Sequence, residues 1–216
     1  MIAVEDAGWL VALLDRIGLE SQNLTAIDAI DDAIDRHLMD SLVGMAVPEI
    51  REARGIVDLG SGGGFPGLVM ARMLPDVSVT LVESERRKAD WLVRAAAELP
   101  NVRVVADRTE ALAREEREVW DVATARAVAA TPSLLELAAP LVRVGGSLVA
   151  WRGPSDAEPT PGDRSAAAEV GFAFDRVIEV EPFAGAERRL VVWAKTGATS
   201  DRFPRRPGRA TKRPLA

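Results

Sequence analysis

The stretch IVDLGSGGGFPG, Ile56 to Gly67, holds five glycines in twelve residues and follows directly on an apolar run. A turn this rich in glycine lets backbone N–H groups approach a ligand closely. Gly62, Gly64 and Gly67 also spell a literal G-x-G-x-x-G, the dinucleotide fingerprint. The register speaks against that reading. GIVDL reads as a strand, so a dinucleotide loop would start at Gly60, and its third glycine would fall on Phe65. The pattern that fits the strand is apolar-apolar-Asp-x-Gly-x-Gly-x-Gly, with Asp58, Gly60, Gly62 and Gly64.

Outward from this loop the chain alternates. GIVDL, VSVTLVE, VRVV, VWDVATARA and SLVAWRG read as strands. PGLVMARML, ERRKADWLVRAAAEL and TPSLLELAAPLV read as the helices between them, the last ending near Gly145-Gly146, with a short acidic segment over 109–118. This βαβ rhythm predicts an α/β fold with a doubly wound parallel sheet. After a Pro/Gly-rich loop and a short helix over about 164–170, FAFDRVIEVE and RRLVVWAK follow as two strands with only the PFAGAE turn between them, which predicts an antiparallel hairpin. About seven strands are expected, five parallel and then the hairpin. Upstream, Trp9, Leu10, Leu13, Leu14 and Ile17 repeat at helical spacing, and a second helical stretch over about 26–46 follows Asn23 and Thr25, both capping types. The expected organisation is an N-terminal helical segment over 1–50 packed on the core, a main domain over 51–200, and a tail over 201–216.

In such sheets ligands sit at the carboxyl ends of the strands, near the switch in strand order. A carboxylate at Asp58 repels a pyrophosphate but suits the ammonium of an amino acid. Together with the register this favours S-adenosylmethionine, a nucleoside carrying an amino acid and no phosphate, over NAD(P). Glu83 ends the second strand, where a carboxylate accepts ribose hydroxyls of either cofactor. Asp107 to Glu110 follow the third strand and are placed to line an adenine pocket.

The choice of methyl acceptor is narrowed by what is missing. There is no cysteine, which excludes carbon-5 pyrimidine methylation through a covalent thiol adduct, and also disulfides and thiolate metal sites. With a single histidine, His37, no metal is expected. The Asn/Asp-Pro-Pro-aromatic cluster used on exocyclic amines is replaced after the fourth strand by Ala125-Arg126-Ala127. An acceptor that is already nucleophilic, such as guanine N7, needs no base. Arg126 and Arg152 end strands four and five on the cofactor side, and Arg188, Arg189 and Lys195 mark the last strand. Residues 202–216 carry six basic and no acidic residues, while the rest of the chain carries a net −12. An acidic body with a basic tail suggests a polyanion partner, to be held through Arg205, Arg206, Arg209, Lys212 and Arg213. Pro204, Pro207, Gly208 and Pro214 argue against a helix in that tail. No apolar run is long enough to span a bilayer, and MIAVEDAG lacks a basic leader, so a cytoplasmic protein is expected.

NLTAI (23–27), RHLMDSL (36–42), DLGSGGGFPG (58–67), TLVESERRKADWL (80–92), ARAVA (125–129), ERRLVVWAK (187–195) and RFPRRPGRATKRPL (202–215) together resemble the glucose-inhibited division protein B family (RsmG/GidB). The resemblance implies a class I S-adenosylmethionine-dependent methyltransferase fold, Rossmann-like, acting on N7 of one guanine in 16S rRNA of the small ribosomal subunit. It places Gly60 and Phe65 against the cofactor, Thr109 and Glu110 at the adenine, and Arg126 at the cofactor site. His37 joins Arg126 and Arg152 as a candidate for the catalytic centre. His37 and Asp40 share one helix face. Family members commonly carry Lys-Gly where this chain has Arg152-Gly153. A monomer is expected. A small-molecule methyltransferase of the same fold, and an RNA-binding protein that has lost catalysis, are the alternatives.

Overall fold

The computed structural model describes residues 3–20, 29–156 and 158–215. The capping residues expected at Asn23 and Thr25 lie outside them. A seven-stranded sheet runs in the order β3-β2-β1-β4-β5-β7-β6. The strands are β1 (Gly55–Leu59), β2 (Ser78–Val82), β3 (Val102–Val105), β4 (Trp120–Arg126), β5 (Val142–Arg152), β6 (Phe172–Val180) and β7 (Arg188–Lys195). The first five are parallel, and β7 pairs antiparallel with both β5 and β6. The chain reverses direction across the sheet between β1 and β4, which places the switch point over the glycine loop.

The central strands bury both faces. In β1, Ile56 packs into one core layer and Val57 and Leu59 into the other. The first layer is closed by α1 (Val4–Gly18), through Leu10, Leu13, Leu14 and Ile17, and by α5 (Gly67–Met73) and α6 (Arg86–Ala95). The second is closed by α7 (Thr109–Glu115), α8 (Thr131–Ala138) and α9 (Pro161–Glu169). The N-terminal segment thus shares a core with the main domain. No helix of the described residues is long and apolar enough to cross a membrane.

Three expectations need correction. The helix expected to run to Gly145-Gly146 stops at Ala138, because Pro140 cannot continue it, and β5 begins earlier, at Val142. The described part of the second helical stretch is no uniform α-helix. It comprises α2 (Ile30–Ala33), a π-helical turn over Ile34–Met39, α3 (Asp40–Leu42) and a 3-10 turn over Val43–Ala46, followed by α4 (Pro48–Arg51). Such π turns recur at functional sites. Third, the tail does hold a helix, the short α10 (Arg209–Lys212), fitted between its prolines, with Gly208 in the left-handed conformation before it.

Candidate active site

β1 and β4 lie side by side with Asp58 opposite Thr124. This register brings the Thr124 hydroxyl within 2.7 Å of Asp58 Oδ1, to which it donates. Asp58 is 1 % exposed, and its Oδ2 is buried with no hydrogen-bond partner. Burial pushes its carboxyl up to about 6, despite the opposing hydrogen bonds and the Arg126 charge. The glycines shape the space around it. A Cβ on Gly67 would stand 2.8 Å from Asp58 Oδ2, and one on Gly64, whose φ is +104°, would strike Leu68 Cδ1 at 2.3 Å. The loop is pinned from below. Ser61 N–H donates to Val82 O, Trp91 Nε1 donates to Gly63 O, and Gly62 N–H donates to Glu83 Oε2 at 3.0 Å. Glu83 Oε1 accepts from its neighbour Glu85 N–H at 2.7 Å. Each Glu83 oxygen keeps a second lone pair for a ligand hydroxyl.

Beside the loop lies a pocket of about 160 Å³ whose walls include Gly60, Val82, Thr109, Glu110 and Val128. It is where the sequence placed an adenine. The donor set fits S-adenosylmethionine. The buried, partnerless Asp58 oxygen lacks a donor that an ammonium would supply. Glu83 stands at the end of β2 for a ribose, and the pocket past Val82 suits a base.

A second cleft, of about 410 Å³, adjoins the first across the Arg126–Ala129 segment. Its walls include Arg36, His37, Arg126, Trp151, Arg152 and Arg188. Asp40, 1 % exposed, organises it. Its Oδ2 accepts from Arg126 Nη1 at 3.0 Å and its Oδ1 from Arg188 Nε at 2.5 Å, while its backbone carbonyl accepts from Trp151 Nε1. Arg126 Nη1 also donates to Arg36 O. The sequence showed only that His37 and Asp40 share a face. The structure makes Asp40 the anchor of two arginines from separate strands. His37 stacks on Phe65, with ring centroids 4.6 Å apart and planes 7° apart, and its Nδ1 lies 3.5 Å from Arg126 Nη2. Burial, and then the Arg126 charge, push His37 down to about 4, so its imidazole is neutral at pH 7. Phe65 is buried, and Arg126 lies over its ring at 5.6 Å. Phe65 therefore packs beneath His37 and Arg126 of the second cleft. Ala127, at the edge of this cleft, holds a positive φ of 57°, a strained backbone of the kind found at ligand clamps.

Arg152 is largely buried. Its Nη1 donates to Ala129 O at 3.0 Å and pairs with Asp156, while its Nη2 has no partner. The other expected cations divide. Arg189 is held by Pro154 O and Glu179. Arg205, expected at rRNA, is turned inward on Glu136, which is 1 % exposed and would otherwise be buried unpaired. Arg206, Arg209, Lys212 and Arg213 are exposed. Glu110, expected at the adenine, also accepts from Gly208 N–H of the tail at 2.7 Å. Residue types alone could not reveal that contact, since the two positions are far apart in the chain.

Residues 5–180 match the family described as GidB, rRNA small subunit methyltransferase G. A protein of Deinococcus radiodurans named ribosomal RNA small subunit methyltransferase G is 42 % identical over 98 % of this chain and 85 % of its own length. The protein of that name from Deinococcus deserti is 44 % identical over 89 % of this chain and 81 % of its own. Among solved structures, the antibiotic-resistance methyltransferase Kmr matches with a TM-score of 0.52 at 22 % identity, over 76 % of this chain and 94 % of that one, a likeness of fold. With its parallel sheet, glycine loop and arginine-lined cleft in this arrangement, the chain belongs to the rRNA small subunit methyltransferase G family.

Proposed function

We propose that this chain transfers a methyl group from S-adenosylmethionine to N7 of a guanine in 16S rRNA of the small ribosomal subunit. The observation that carries the reading is the pair of adjoining clefts. One is a small pocket at the strand switch, beside the glycine loop, and the other is lined by Arg36, Arg126, Arg152 and Arg188, with Arg126 at their border. The naming of the relatives agrees with it.

When bound, S-adenosylmethionine supplies a methyl group on a positive sulfonium. Asp58 would hold its ammonium and Glu83 its ribose hydroxyls, and the glycine loop would let its backbone come close. The protein's task is alignment of donor and acceptor in line. Guanine N7 presents a free lone pair, so no side chain has to take a proton, and a neutral His37 is no obstacle. Arg126 and Arg188 are held rigid by Asp40, which suits them to a fixed phosphate or to guanine O6 alone. A bidentate grip on O6 and N7 would cover the reacting atom. Arg152 Nη2, a buried donor without a partner, is the group best prepared to donate to an acceptor atom of the substrate. Phosphate contacts position such a substrate and base contacts specify it.

We further propose a monomer acting in the cytoplasm. To test the activity, the protein is incubated with tritiated S-adenosylmethionine and small subunits from cells lacking the enzyme. Label at guanine N7 is expected, and label on any other atom, or none, refutes the reading.

A further inference from the structure

The tail has an inner face as well as a basic outer one. Phe203 and Ala210 are buried in the second core layer, and Ala210 O accepts from Ser133 Oγ at 2.9 Å. Phe203 O accepts from Arg117 Nη1 at 2.7 Å. Arg205 forks onto Glu136 of α8, and its Nη2 also donates to Arg213 O, which folds the tail back on itself. Between these anchors Gly208 N–H donates to Glu110 Oε1, and Thr211 stands in the wall of the nucleoside pocket with Gly60, Thr109 and Val128.

We propose that residues 203–213 are a strap that completes the nucleoside end of the donor pocket, with Thr211 as a cofactor-contacting residue and Gly208 as the residue that orients Glu110 toward the ligand. This rests on the donor-pocket reading above. Three physical points carry it. The strap reaches the pocket from the far end of the chain, held by Phe203 and Ala210 in the second core layer on either side of Gly208. Its latch is an ion pair whose acid is fully buried, so lifting the strap leaves Glu136 uncompensated, and the docked state is strongly preferred. Finally, the Glu110 carboxylate, at the first turn of α7, takes a hydrogen bond from the strap itself. A ligand that touches Thr211 binds the docked strap only, so it must stabilise docking by its own differential affinity.

Two measurements on the full-length protein test this, with S-adenosylhomocysteine as the probe. In the first, the latch is removed by the paired change Arg205→Met and Glu136→Leu, which leaves no buried charge unpaired, and affinity is read by calorimetry. The wild type binds, and the folded variant binds about tenfold more weakly. In the second, trypsin cleavage after Arg209 and Lys212 is timed in the wild-type protein. Arg206 and Arg213 precede proline and resist the protease. Saturating probe slows cleavage about tenfold. Equal affinity in the folded variant overturns the strap, and so does a cleavage rate that the probe leaves unchanged, whatever the variant does. A wild-type protein that binds no probe at all overturns the donor-pocket reading itself, and the strap with it.

Discussion

Replacing Asp58 by Asn isolates the one buried carboxylate oxygen that lacks a donor among the described residues. Burial raises the Asp58 carboxyl from 3.8 to about 6. A raised pKa means that the folded protein holds a proton which the unfolded chain has lost. Stability from this group is therefore fully present below pH 3.8 and is lost as pH climbs through 6. Two units correspond to roughly 3 kcal/mol between those limits. In urea titrations from pH 4 to pH 7 the ligand-free wild type should lose that much stability relative to Asp58→Asn; taking the difference cancels the opposite slope of His37, whose lowered pKa makes stability rise with pH over the same window. The Asn side chain keeps an oxygen for the Thr124 hydroxyl and carries no charge.

Ligand binding reverses the balance. An ammonium on Asp58 Oδ2 needs the ionised carboxylate. At pH 5 only about one molecule in eleven has it if the pKa is near 6, so the wild type should bind S-adenosylhomocysteine about tenfold more weakly at pH 5 than at pH 7. Calorimetry on both proteins across that range reads this directly. A wild-type affinity independent of pH, or the same slope in Asp58→Asn, would refute the placing of the ammonium on Asp58.

Other consequences are as direct. Gly64→Ala puts a Cβ 2.3 Å from Leu68 Cδ1 at a φ of +104°, and combined strain and overpacking of about 3 kcal/mol should lower the melting temperature by roughly 6–12 °C. A change under about 2 °C would show that the loop can relax. His37 is the only histidine, so its proton resonance titrates alone, and a midpoint near 4 is expected. A midpoint near 6.5 would mean that the imidazole is solvated and free of the Arg126 charge. Changing Arg206, Arg209, Lys212 and Arg213 to Gln should weaken rRNA binding and flatten its salt dependence, by about 0.7–0.9 in the log–log slope per lost phosphate contact. An unchanged slope would remove the outer face of the tail from the RNA interface.

The fold was legible in the sequence because burial on both faces makes parallel strands read as apolar runs, and because the helices between them carry a different period. The glycine loop was legible for the same reason, since the end of GIVDL fixes which glycine comes first. What could not be read were contacts between residues far apart in the chain. Asp40 looked like any polar helix residue until β4 and β7 delivered Arg126 and Arg188 to it. Arg205 looked like part of a basic arm because nothing in residues 202–216 reveals that Glu136 is buried opposite it. The stacking of His37 on Phe65 was not legible either, because the π turn that carries His37 onto that ring has no clear local signature. Proline counted against a helix in the tail, yet four residues between prolines suffice for one turn.

The central claim is that this chain marks one guanine of 16S rRNA at N7. Mass-spectrometric mapping of 16S rRNA from cells with and without the gene tests it most directly. The account predicts a single guanine that carries an N7 methyl group only when the gene is present. Identical modification maps from the two strains, or a difference confined to another base or another atom, would contradict it.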